Sequence, residues 1–146
     1  HRILPGMIAR DRGRAIVVSA IASRMVAPYL NAYCTGKIAQ NRIVAEAAAE
    51  LKDTAVKVFA IDPGFVFTEL ASTTMNAPAA QKWLPAMVDR LRDASGREDA
   101  QADLARCAQR CADLVSGRYD ALSGSYSELS DDLDAMVRAK VADAGE

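Results

Sequence analysis

The sequence predicts an α/β fold built on a short parallel sheet, and two observations carry this. Ala15-Ile16-Val17-Val18 and Val56-Lys57-Val58-Phe59-Ala60-Ile61 are short, mainly apolar runs of the kind that strands buried on both faces produce. Between them, from about Ala32 to Lys52, the apolar positions recur with a helical period. Strand, helix and strand in that order form a right-handed crossover unit, which sets the two strands parallel.

Each element has a local reason. Gly13-Arg14 introduces the first strand. In the following helix, at 100° per residue, Tyr33, Val44 and Leu51 fall within about 20° of one another, with Lys37 about 40° and Ala48 about 60° from Tyr33. That stripe is expected to face inward. The second strand runs into Pro63-Gly64, which stops it. Pro78 to about Leu91 reads as a helix, as does Glu98 to about Val115, where Leu104, Cys107, Ala108, Cys111 and Leu114 share one stripe. Ser123 to Leu129 reads as a third strand and Asp131 to about Val141 as a closing helix with acids in its first turn.

The composition bounds the class. A chain of 146 residues, 51% apolar and 25% charged, fits one globular domain. A net charge of −1 with acids and bases mixed along the chain gives no basic patch for nucleic acid or anionic lipid, so neither is an expected partner. No apolar run approaches the roughly 18 residues that span a bilayer, and the N-terminus lacks the pattern of a secretory signal, so the expected location is cytoplasmic. Three cysteines make no disulfide framework. Cys107 and Cys111, four apart on a helix, have the spacing to share a metal, but the only histidine is His1; small packing side chains are the preferred reading, and no metal is expected. The chain begins with His1 rather than Met, which reads as a piece of something longer.

Tyr33-Cys34-Thr35-Gly36-Lys37 is the constellation that carries chemistry. Positions i and i+4 of a helix lie on one face, so the phenol of Tyr33 and the ammonium of Lys37 project side by side. A phenol titrates near ~10, and a cation within about 4–6 Å favours its ionised form, which suits acid–base work near neutral pH. A lysine on an inward face needs a partner or a solvated cleft that holds a ligand. Cys34 reads as a spacer within that turn. Thr68 reads as a helix N-cap ahead of Leu70 and Ala71, a role compatible with ligand contact. Trp83, the only tryptophan, reads as packing in preference to substrate contact.

Taken in order, Gly13-Arg14-Ala15-Ile16-Val17-Val18-Ser19, Arg24, Pro28, Tyr33-x-x-x-Lys37 and Pro63-Gly64-Phe65-Val66-Phe67-Thr68 make the chain similar to the C-terminal half of a short-chain dehydrogenase/reductase. Ala121-Leu122-Ser123-Gly124-Ser125-Tyr126, with Asp131-Asp132-Leu133-Asp134, resembles the last strand and terminus of bacterial and fungal members. The resemblance covers nearly all 146 residues.

The resemblance implies the C-terminal part of a doubly wound Rossmann-like parallel sheet, about three strands with flanking helices. Residues 1–146 would be the catalytic half of one domain, without its dinucleotide-binding half. The glycine-rich turn that holds a pyrophosphate does not occur in the sequence, and Gly96, Gly117 and Gly124 do not replace it. By itself this segment is expected not to hold NAD or NADP. The implied reaction is NAD(P)-dependent interconversion of a small alcohol and a carbonyl. Tyr33 would exchange the proton, and Lys37 would lower its pKa and bond the nicotinamide ribose. Pro63 and Gly64 would open the nicotinamide loop, the backbone of Val66 would meet the carboxamide, and Thr68 would bond the carboxamide or a phosphate. The family's serine falls by ungapped count on Ala20, with Ser19 one position earlier; Ser19 would serve only if the strand end is shifted or bulged. An impaired or non-catalytic relative, or a fragment without activity of its own, is the alternative. The complete protein is expected to be a homo-oligomer. The segment closing over the substrate would run from about Phe65 to Leu91, an apolar stretch with Met75, Trp83, Leu84 and Met87.

Overall fold

The computed structural model describes residues 2–97 and 100–143. Helix α1 (Leu4–Ala9) leads into strand β1 (Gly13–Val18), a 3₁₀ turn (Ile21–Ser23) and the long helix α2 (Asn31–Glu50). Strand β2 (Val56–Ile61) is followed by α3 (Glu69–Asn76), α4 (Pro78–Trp83), α5 (Pro85–Ser95) and α6 (Ala100–Val115). A second 3₁₀ turn (Asp120–Leu122), strand β3 (Tyr126–Ser127) and helix α7 (Leu133–Asp143) complete the described chain. The strands lie in the order β1-β2-β3, all parallel, with Gly13 opposite Val56 and Val18 opposite Ile61. This is the α/β architecture expected of the sequence.

The central strand explains the layering. Successive strand residues point to opposite faces. Val56, Val58 and Ala60 pack with Val44 and Leu51 of the α2 region, while Phe59 and Ile61 pack with Leu114 of α6 and Leu133 of α7. Both faces of β2 are therefore covered, and Phe59 and Ile61 are 1% and 0% exposed. Strand β1 is only half-buried, and its last residue, Val18, is exposed.

Four elements differ from the sequence expectation. The single helix expected from Pro78 to Leu91 is two, because Leu84 leaves the helical region (φ −129, ψ 43) ahead of Pro85, whose ring disfavours helical geometry in the residue before it. The expected start of the next helix at Glu98 lies outside the described residues. The third strand is reduced to Tyr126–Ser127. Ser123 and Gly124 still follow the edge of β2, since Gly124 N–H donates to Val58 O at 2.8 Å and Val58 N–H to Ser123 Oγ at 3.2 Å, but Gly124 turns through φ +85. Helix α7 starts at Leu133, with Asp132 Oδ1 accepting from the amides of Asp134 and Ala135.

The inward stripe of α2 is the fourth difference. Val44 and Leu51 are buried as expected, but Tyr33 is 46% exposed. Lys37 reaches the carbonyl of Val18, the last residue of β1, so the turn that carries Tyr33 overhangs the carboxyl ends of the strands instead of lying on the sheet.

Gly124 is required twice over: its dihedral suits glycine, and a Cβ there would lie 2.8 Å from Ala48 Cβ. Gly124→Ala is expected to destabilise the fold by at least about 1 kcal/mol. Ala48→Gly in the same chain restores the space but not the dihedral, so urea unfolding of the double variant should recover only part of the loss beyond its own helix penalty.

Candidate active site

The site sits where β1 and β2 end. Asp62 follows β2 directly, and its two carboxylate oxygens hold two different segments: Oδ1 accepts from Ile21 N–H at 2.9 Å and Oδ2 from Gly64 N–H at 3.2 Å. The second bond spans two residues, the Asx-turn geometry that aspartate favours before a turn. Asp62 thereby ties the segment after β1 to the Pro63-Gly64 loop.

Gly64 (φ +72) is the only residue type that fits its place, because a Cβ would lie 2.7 Å from Leu129 Cδ1 and 3.0 Å from the carboxylate of Asp103. Asp103, on the first turns of α6, is buried and accepts from Phe65 N–H at 2.8 Å. It also pairs with Arg106. These contacts, the Phe65 amide first, hold its carboxyl below the usual range against the opposing effect of burial. Two carboxylates thus grip consecutive amides of one loop. Beyond it, Thr68 Oγ1 accepts from Ala71 N–H at 3.4 Å and caps α3, as its N-cap reading expects.

Lys37 is half-buried, with Nζ donating to Val18 O at 3.2 Å and to Gln40 Oε1 at 3.1 Å. Its ammonium lies 5.7 Å from the centre of the Tyr33 ring. The expected lowering of the Tyr33 pKa is corrected by this arrangement. The phenol is pushed above its ordinary value, first by burial, then by the charge of Asp62 and by Cys34. Lys37 shares its charge with a carbonyl and an amide oxygen, and the ring face rather than the hydroxyl is the contact described between the pair.

Ser19 is 2% exposed and extends the ladder through its N–H to Ile61 O at 2.8 Å. Its hydroxyl donates to Lys37 O at 3.3 Å, across to α2. Ala20, in extended conformation, leads into the 3₁₀ turn. Cys34 is buried, whereas Cys107 and Cys111 are half-buried against the Phe59–Ile61 cluster. Arg24, one of the residues that carry the resemblance, lies 4.5 Å from the centre of the Tyr126 ring, whose phenol is pushed up to about 12 by burial, Asp62 and Glu128.

The structure therefore brings together Tyr33, Lys37, Ser19, Pro63 and Gly64 around the strand ends, with Val66 and Thr68 on the exit from the loop. Asp62, Gln40 and Asp103 are contributors that the sequence reading missed. Asp62 had a local signal, an aspartate directly before Pro-Gly. Asp103 had none, since it meets Phe65 across 38 positions. Trp83 is 49% exposed, with its ring 5.4 Å from that of Tyr29 and the Lys82 ammonium 4.8 Å from its centre.

An open parallel sheet whose loops converge beyond the strand ends defines the α/β class that binds ligands at that edge. Residues 1–79 match the family model for short chain dehydrogenase. A short-chain dehydrogenase of Pseudocercospora fijiensis is 30% identical over 146 residues, covering 98% of this chain and 46% of that protein. Dehydrogenase/reductase SDR family member 7B of Rattus norvegicus is 30% identical over 79 residues, 54% of this chain and 24% of that protein. Among solved structures, a short-chain dehydrogenase/reductase from Saccharomyces cerevisiae superposes with a TM-score of 0.70 at 21% identity, covering 88% of this chain and 49% of that one. The KRED1-Pglu enzyme gives 0.68 at 25% identity, covering 84% and 50%.

The chain belongs to the short-chain dehydrogenase/reductase family, a family of NAD(P)-dependent oxidoreductases. It spans less than half the length of these two relatives. Structural neighbours include an actinorhodin polyketide ketoreductase with NADPH and an angucycline ketoreductase with NADP. Among the described residues no helix is long and apolar enough to cross a membrane.

The Asp103 contacts make a pH-dependent contribution to stability. Because its folded pKa is lowered, that contribution is full above the unfolded carboxylate pKa and is lost as pH falls through the folded value. Asp103→Asn is expected to lower stability at neutral pH by about 1 kcal/mol. Thermal unfolding across the acid range should show the wild-type advantage shrinking to nothing at the lowest pH.

Proposed function

We propose that the full-length protein interconverts a small-molecule alcohol and a carbonyl by hydride transfer, with Tyr33 as the acid–base group and Lys37 beside it. The observation that supports this reading most is the half-buried Lys37 ammonium, fixed by Val18 O and Gln40 Oε1 next to the Tyr33 ring at the ends of two parallel strands. NAD or NADP, when bound, supplies or accepts the hydride. The residues fit its nicotinamide end. An ammonium has three N–H donors, and with two engaged Lys37 has a third for a ribose hydroxyl. Pro63 and Gly64 shape the loop. With the Gly64 and Phe65 amides held by Asp62 and Asp103, the carboxamide contact falls to the backbone beyond them at Val66, with Thr68 as a further partner.

In this reading Tyr33 holds its proton at neutral pH and delivers it from Oη to the substrate oxygen, which favours carbonyl reduction. Ser19 acts as a positioning residue, its hydroxyl bonded to the backbone of Lys37. Ala20 offers no second donor to the developing oxyanion. That lack also supports the alternative, a catalytically impaired member of the family. The same proposal includes a cytoplasmic homo-oligomer, in which a second copy covers the exposed Ile38 and Ile43 on α2.

Tyr33→Phe is expected to reduce turnover by about 10²–10⁴ while leaving NADPH or NADH affinity nearly unchanged, whereas Lys37→Met lowers both. Wild-type turnover in Tyr33→Phe would remove the assignment. Reductive turnover should hold through neutral pH and fall as pH rises through the raised phenol pKa, with oxidation gaining over the same range. Ala20→Ser is expected to raise turnover about tenfold or more; no gain, together with a large loss in Ser19→Ala, would make Ser19 the working hydroxyl.

A further inference from the structure

Arg110 of α6 is a buried cation that the site described above does not use. It is 8% exposed, and no carboxylate pairs with it among the described residues. Its Nη2 donates to Asp131 O at 2.7 Å and to Leu129 O at 3.3 Å, while Nη1, also buried, has no hydrogen-bond partner among the described residues. Burying a guanidinium against two neutral carbonyls is costlier than burying an apolar side chain of similar volume, so packing gives no reason for an arginine at this position. The reason lies in the turn that it holds.

The turn from Glu128 to Asp131 follows β3 and closes on itself through Glu128 N–H, which donates to Asp131 Oδ2 at 2.8 Å. It touches both loops of the site. Leu129 Cδ1 lies 2.7 Å from where a Cβ on Gly64 would be, and so fills the space beside the Pro63-Gly64 loop that the Asp103 carboxylate also borders. Glu128 reaches Arg24, in the segment after β1, at 3.4 Å. Asp103 and Arg110 are seven positions apart, about two helical turns, which puts them on one face of α6 within about 20° of each other. That face therefore bears on the loop twice, directly through Asp103 and indirectly through Arg110 and Leu129. We propose that Arg110 is a positioning residue for the nicotinamide loop: it fixes the turn that seats Leu129 against Gly64, and with Asp103 it makes α6 a two-point clamp on the backbone of Gly64 and Phe65. The clamp rests on these contacts alone; its service to a nicotinamide rests on the hydride-transfer reading above.

Amide hydrogen exchange of the full-length protein without cofactor reads the clamp directly. Arg110→Met is expected to speed exchange at Gly64 and Phe65 at least tenfold while amides in the middle of α2 keep their rates. Arg110→Lys, which retains a cation and three donors, should bring the loop back to within threefold of wild type. Leu129→Ala leaves Arg110 in place and should reproduce the acceleration, and the double variant should exchange no faster than the faster single variant. Titration with NADPH and with NADH, followed by nucleotide fluorescence, should show Arg110→Met raising Kd for the preferred nucleotide at least fivefold and KM in step, with kcat within threefold of wild type. Unchanged loop exchange in folded Arg110→Met and Leu129→Ala, equal acceleration in α2, or multiplied effects in the double variant would overturn the clamp. A loosened loop with unchanged nucleotide affinity would overturn its service to the cofactor. Nucleotide binding that depends on Arg110 without turnover of any carbonyl would leave the clamp standing and count against hydride transfer. Turnover and affinity insensitive to Arg110→Met would do the reverse.

Discussion

Apart from the half-buried Lys57, strand β2 is buried on both faces, and the rest of the structure follows from that constraint. Its even-numbered residues from Val56 to Ala60 require α2 on one side, and Phe59 and Ile61 require α6 and α7 on the other. Helices on both faces of β2 leave its carboxyl end open, and the irregular backbone that follows β1 and β2 meets there. The carboxyl ends of β1 and β2 are in register, Val18 opposite Ile61, which places Ser19 and Asp62 at the same level of the sheet. A one-residue slip would turn the buried side chains of β2 toward the wrong layers and separate the two segments that Asp62 joins.

Asp62 converts that register into a site. Its carboxylate holds the segment after β1 and the turn after β2 at once, and Asp103 holds the next amide of the same turn from α6. A loop whose glycine leaves no room for a Cβ and whose amides are gripped from two sides has little freedom, so a ligand meeting its backbone would find it already arranged. Lys37 completes the frame by bonding the last carbonyl of β1, while Ser19 bonds the carbonyl of Lys37 in return.

What the sequence made legible was the set of features that act locally. The apolar runs gave both main strands, β2 to the residue, and the helical period gave α2 to within two residues at either end. The i, i+4 spacing placed Tyr33 and Lys37 together because that relation is a property of a single helix. The break at Leu84–Pro85 was written in the proline but outweighed by the apolar positions on either side. The two-residue β3 was over-read because Gly124 and the Asp131 carboxylate, which takes the Glu128 amide, cut the ladder short from outside the strand. Exposure of Tyr33 was not legible at all: the period says which face of α2 looks toward the sheet, but not where along the helix the sheet ends. The Asp103–Phe65 bond and the Tyr29–Trp83 ring contact join residues far apart in the chain, for which one sequence has no signal.

The pKa of Tyr33 shows how the frame and the chemistry oppose each other. Asp62 organises the two loops through its two carboxylate oxygens, and its charge makes the nearby phenolate less favourable. Lys37 is held in place because it donates to Val18 O and Gln40, and those bonds draw its ammonium toward acceptors other than the phenol oxygen. A phenol held this way keeps its proton at neutral pH, and in the proposed reaction that is the state suited to protonating a carbonyl oxygen rather than to deprotonating an alcohol.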